Sequence, residues 1–122
     1  MADETIEILA LIRKFAEEFS TSLYDTGFGY AFGPAGVRSA ETREDMRVAL
    51  AFVNGYAQGC RLANAYQSPQ WCICNTVVSI TGQLCVMLDA QGVQHGDTFR
   101  RTINSARETL IRQIADAKGA QS

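Results

Sequence analysis

The chain has 122 residues, 47% of them apolar, with 11 basic and 13 acidic side chains for a net charge of −2. A chain of this length makes one domain that buries about two-thirds of its unfolded surface, so neither a disulfide nor a metal is needed to hold it together. The charge balance offers no global attraction to nucleic acid or anionic membranes, and no run of 18 uncharged apolar residues marks a membrane span.

Residues 4–24 are expected to form the first helix. Ile8, Leu11, Ile12, Phe15 and Phe19 recur at steps of three and four, one stripe of a 3.6-residue period. Asp3 is placed to cap it, and Arg13–Glu17 and Lys14–Glu18 are spaced as i,i+4 pairs on the wet side. This opening is acidic and amphipathic, where a secretory signal would be basic and then apolar, and a cytoplasmic location is expected.

Residues 25–38 break the pattern. The stretch from Asp25 to Gly36 holds four glycines and one proline, a density that no helix survives. Phe28, Tyr30 and Phe32 alternate with small residues, which allows a short extended piece. A loop this long in a compact domain is usually functional or mobile. Its three rings either fold back into the core or anchor a partner, and they are taken as candidate partner-binding residues because Phe and Tyr are favoured at interfaces.

Residues 40–66 are expected to form a second helix, opened by a capping-box pattern from Thr42 to Asp45. Met46, Leu50, Val53 and Cys60 mark one apolar stripe. Ala51, Gly55, Gly59 and Ala63 mark another at strict four-residue spacing. Two glycines inside a helix cost about 1 kcal/mol each relative to alanine, and the usual return is close approach of another backbone. Helix 1 or helix 3 of the same chain could fill that strip. The favoured reading is a homodimer interface of Ala51, Phe52, Gly55, Gly59 and Ala63, with Val48 and Leu62 adding bulk. Phe52 supports it, lying off the side that carries Met46, Leu50 and Val53.

Ser68-Pro69 is a helix-start signal, with serine as cap and proline at the first helical position. A third helix over 69–90 is apolar nearly all round. Ile73, Val77, Ile80, Leu84 and Met87 lie on one side, with Cys74, Val78, Cys85 and Leu88 beside them, so it should be central. The β-branched run 76–81 would also suit a strand, but the apolar stretch is long and has no hairpin partner. Gly92 ends this helix, and Asp97 or Thr98 caps a fourth over 98–118 with Phe99, Ile103, Ala106, Leu110 and Ile114 on one face. Lys118-Gly119 reads as its stop. The expected fold is all-α: a four-helix bundle-like single domain over residues 1–122.

Few of the residues that carry chemistry are grouped. Cys72 and Cys74 form a C-x-C pair, not the C-x2-C knuckle of a zinc site. Cys74 and Cys85 would stand about 16 Å apart along one helix, too far to share an ion. A Cys60–Cys74 bridge is geometrically conceivable across the hairpin, but the favoured reading is four buried, reduced thiols, as cytosolic cysteines usually are. His95 and Asp97 lie in a loop with no glycine-framed nucleophile beside them. Gly27 and Gly29 fail the dinucleotide fingerprint, because Phe32 stands where the third glycine belongs.

Nine of the 11 cations are arginine, which fits carboxylate or phosphate recognition or codon bias alone. Arg100, Arg101, Arg107 and Arg112 are diluted by Glu108 and Asp116, too weak a footprint for nucleic acid. No catalytic residue, cofactor or metal is therefore expected. In size and style the chain is like a small bacterial helical regulator: an antagonist, antiactivator or adaptor that binds another protein, or an immunity protein. The alternative is a helical ligand- or metal-binding domain whose cysteines and loop aromatics line a pocket. Thiol titration of the denatured, unreduced chain is expected to find all four cysteines free; two or fewer would reveal a disulfide.

Overall fold

The computed structural model describes residues 2–25, 37–89 and 96–121. They form four helices and no strands: α1 (Ala2–Asp25), α2 (Arg43–Ala63), α3 (Pro69–Asp89) and α4 (Gly96–Gln121), with a 3₁₀ turn η1 (Val37–Ser39) ahead of α2. The protein is all-α, as the periodicity predicts. Phe28, Tyr30 and Phe32 lie outside the described residues, as do Gly92 and His95.

The helix ends show where local chemistry overrules periodicity. Helix α2 begins at Arg43, not residue 40, because Thr42 is extended and its side chain accepts from the Asp45 N–H at 3.0 Å. It ends at Ala63, not 66. Asn64 caps it, donating its backbone N–H to Arg61 O and its side-chain amide to Cys60 O. Ser68 caps α3 as expected, its hydroxyl oxygen accepting from the Trp71 N–H at 3.2 Å. Two expected caps are displaced. Asp3 lies inside α1, and Asp97 and Thr98 lie inside the first turn of α4, where acidic Asp97 still complements the positive helix end. Gly119 does not stop α4, which continues to Gln121.

The core forms from the stripes read in the sequence. Ile8, Ile12, Phe15 and Phe19 of α1 meet Met46, Leu50 and Val53 of α2, Ile73, Val77, Ile80 and Leu84 of α3, and Phe99, Ile103, Leu110 and Ile114 of α4 in one buried cluster. The most extensive contact is α2 on α3, followed by α3 on α4 and α1 on α4. The α1–α2 seam is thin, and η1 packs against both helices beside it. Buried Val37 and Ala40 plug that seam, and Arg13 donates to Ala40 O at 2.6 Å. Arg13 thus holds the chain entering α2 against α1.

Residues 62–88 carry no charge. By length and composition α3 is apolar enough to cross a membrane, which qualifies the sequence reading that no such segment exists. Its side bearing Ile73, Cys74, Val77, Ile80, Thr81, Leu84 and Leu88 is buried in the core, while Asn75, Ser79, Gln83 and Val86 are exposed. The β-branched run 76–81 is helical. Thr81, fully buried, donates its hydroxyl to Val77 O at 2.6 Å, one turn back.

That hydroxyl also accepts from Asn54 Nδ2 at 3.0 Å, and Asn54 donates to Val78 O at 2.8 Å. Asn54 therefore pins α2 to α3 at one register. Removing a partner from a half-buried hydrogen bond costs about 1–3 kcal/mol. Asn54→Ala is expected to lower the unfolding free energy by roughly 1–2 kcal/mol in urea titrations. Gln83→Ala, which touches only Ser79 at the surface, should stay within about 0.5 kcal/mol of wild type.

Candidate binding surface on helix α2

Helix α2 is apolar on two opposite sides. Met46, Leu50, Val53 and Ala57 are buried against the core. At 100° per residue, Val48, Phe52, Gly55, Gly59 and Leu62 centre roughly 170° away. They face solvent: Val48 is 57% exposed, Phe52 69% and Leu62 86%. Ala51, Gly55, Gly59 and Ala63 are exposed with them. A Cβ added at Gly55 or Gly59 would meet nothing within 4 Å. Neither helix 1 nor helix 3 fills the small-residue strip, so packing among the described residues does not explain the glycines.

The apolar surface continues past the helix end. Tyr66 is 74% exposed, and its ring stands edge-on to Trp71 with centroids 4.8 Å apart. Gln67, between them in the tight α2–α3 turn, has φ 63°, a left-handed conformation unusual for a residue with a Cβ. Tyr56, next to Gly55 and about one turn beyond Phe52, borders the same surface at 39% exposure. Sequence reasoning missed it, although its i+4 spacing from Phe52 was available as a signal.

No charged residue occurs between positions 48 and 60. The contrast is α4, whose exposed positions include Arg100, Arg101, Glu108, Arg112, Asp116 and Lys118. Charges of that kind keep a helix surface solvated; the outer face of α2 lacks them.

The two chain ends differ in sign, with Asp3, Glu4, Glu7, Glu17 and Glu18 near the start and four arginines in α4, and two ion pairs join them. Arg107 of α4 pairs with Glu18 of α1 at 3.1 Å, and Arg100 with Glu7 at 3.4 Å and Asp97 at 3.3 Å. The expected Lys14–Glu18 pairing gives way to this cross-helix pair, which spans two packed elements. The basic stripe of α4 is thereby interrupted.

A second concavity of about 550 Å³ lies between α3 and α4. Asn75, Ser79 and Gln83 line one wall and Thr98, Arg101 and Ser105 the other. Its chemistry is hydroxyl, amide and one guanidinium that makes no ion pair among the described residues. Such a lining can hydrogen-bond a polar solute but has no acid–base pair. The cysteines do not line it.

The four thiols are free. Only Cys74 is buried; Cys60, Cys72 and Cys85 are half-buried, because they sit at the edges of the α2–α3 seam and not in its centre as expected. Burial, reinforced by Cys60 nearby, pushes the Cys74 thiol up to about 12, and burial beside Asp89 raises Cys85 as well. Both are therefore poor thiolate nucleophiles at neutral pH. No three His, Cys, Asp or Glu side chains are grouped to hold a metal among the described residues. No family model matches this chain, and no curated protein or solved structure matches it either.

The raised thiols set a pH dependence. The unfolded chain loses its thiol protons near the ordinary thiol value of 9.0, while the native chain keeps that of Cys74 until about 12. The contribution of Cys74 to stability is thus constant below about pH 9 and falls as pH rises through this window, since the unfolded state then binds fewer protons. Urea midpoints taken between pH 8 and 11 are expected to decline less steeply in Cys74→Ala than in wild type.

Proposed function

We propose that the protein is a small non-catalytic regulator, of the antagonist, antiactivator or adaptor kind, that captures another protein on the outer face of α2. The observation that carries this reading is the second apolar face itself, set opposite the core, uncharged over 48–60 and open above Gly55 and Gly59. Monomeric soluble proteins rarely leave a contiguous apolar surface of several hundred Å² in water unless something binds there. A helix partner laid along the glycine strip could come nearer than the usual 8–10 Å axial spacing, with Phe52 and Leu62 gripping it on either side.

The scaffold behind this surface is a closed four-helix bundle in our reading. The contacts run α1–α2–α3–α4 and back to α1, with η1 thickening the α1–α2 seam. The raised Cys74 and Cys85 thiols weigh against covalent catalysis by these groups. The loop aromatics Phe28, Tyr30 and Phe32 are proposed as a second anchor for the same partner. The surroundings proposed are cytoplasmic, where the four thiols stay reduced.

The test compares wild type with Phe52→Asp/Leu62→Asp. Proteins retained from a source extract by wild type are identified, purified and titrated against both forms. At least one is expected to lose roughly 30-fold or more in affinity to the double variant, the loss typical of interface anchors, and none to Arg101→Ala. Partners that bind all three forms equally would move the binding site away from α2.

A further inference from the structure

The outer face of α2 has a symmetry that its exposure alone does not require. Ala51 and Ala63 are equidistant from Ala57, as are Phe52 and Leu62, and as are Gly55 and Gly59. Ala57 itself points into the core. We propose that the face is self-complementary: two copies of this chain pair α2 against α2 about a two-fold axis level with Ala57. The proposal rests on reading this face as a protein-binding surface and names a second copy as an occupant.

In that antiparallel arrangement Gly55 lies opposite Gly59 of the other copy, Ala51 opposite Ala63, and Phe52 opposite Leu62. A two-fold interface demands this reciprocity: if residue i meets residue j, then j meets i. The small pairs allow close approach along the centre, and each Phe52 fills the space beside the facing Leu62. Val48, Phe52, Gly55, Gly59 and Leu62 follow steps of four, three, four and three, the 3.5-residue repeat of a coiled-coil seam.

The electrostatics agree. Because positions 48–60 are uncharged, no like charges are forced together along the seam. The first-turn charges Glu44, Asp45 and Arg47 lie past the level at which the facing α2 ends, Ala63 being opposite Ala51, so they are off the seam.

The area is that of a small interface. At roughly 200 Å² for a whole aromatic side chain, Phe52, Tyr56 and Tyr66 at 69%, 39% and 74% exposure offer on the order of 350 Å². With Val48, Leu62 and the small residues, each copy can contribute on the order of 600 Å². A pair then reaches about 1,200 Å², the lower edge of specific stable interfaces. Such a dimer dissociates at micromolar concentration. Self-pairing and partner capture therefore compete for one surface, and the fraction of chains free to bind a partner falls as the protein accumulates.

Sedimentation equilibrium of the full chain across the micromolar range tests this. Wild type is expected to pass from monomer to dimer. Phe52→Asp/Leu62→Asp and Gly59→Leu are expected to stay monomeric with wild-type helical content. Gly59→Leu should not lower the melting temperature of the monomer, since a Cβ added there meets none of the described residues. The orientation is read by mixing Ala51→Cys with Ala63→Cys chains under oxidising conditions and mapping the crosslinks by mass spectrometry. Heterotypic 51–63 links are expected to exceed 51–51 and 63–63 links; dominance of the homotypic links would overturn the antiparallel arrangement. A wild-type chain that stays monomeric at high micromolar concentration, or variants that still dimerise, would overturn the proposal. The two readings fail separately. A monomeric wild type whose partner binding still drops in Phe52→Asp/Leu62→Asp leaves the proposed function standing without the dimer. Variants that lose the dimer but bind a partner as wild type leave the dimer standing without the proposed function.

Discussion

The constraint on which the rest of this structure depends is that α3 must be covered. It carries no charge before Asp89. Its buried side alone supplies seven core residues. Left in water, that much apolar surface would cost more than any local propensity could repay. The shortest way to cover it is to fold the preceding helix back across the Ser68-Pro69 turn, and α2 on α3 is accordingly the most extensive contact in the molecule. The hydrogen bonds from Asn54 to Val78 O and the Thr81 hydroxyl then select one register for that contact. Dispersion and burial are non-directional and could not do so by themselves.

Covering α3 dictates what remains for the other elements. Helix α4 closes the next side and offers its opposite surface to water with ordinary charges. Helix α1 bridges α4 and η1, and its acidic side chains meet the arginines of α4 across the seam. Exposed ion pairs of this sort contribute little energy, on the order of 0–1 kcal/mol each, but they explain why the chain is acidic at one end and basic at the other.

Helix α2 is the exception. Once it has given one side to α3, nothing in the described structure covers the side bearing Val48, Phe52 and Leu62. A soluble helix with only one neighbour to satisfy would carry charge at those positions. It also would not retain two glycines that cost about 1 kcal/mol each and at which an added Cβ would meet none of the described residues. The protein keeps an unfavourable helix sequence and an unfavourable surface at the same place, and the proposed binding of another helix would offset both costs together.

Much of this was legible in the linear pattern, for a definite physical reason. Helical periodicity, the Thr42 cap and the Ser68-Pro69 start are local, acting over a turn or two, so α2, α3 and α4 and nearly all their core residues can be read directly. The small-residue strip Ala51, Gly55, Gly59 and Ala63 was also readable, together with its separation from the Met46–Leu50–Val53 side. A sequence defines the faces of a helix relative to one another and does not say which of them the rest of the chain covers. Only the tertiary packing decided that the glycine strip faces solvent, that Glu18 pairs with Arg107 and not with Lys14, and that Asn54 and Thr81 are joined across the α2–α3 seam. The two pairings join residues 89 and 27 positions apart in sequence (107 − 18 and 81 − 54), the exposure of the strip depends on where every other helix packs, and no local signal carries that information.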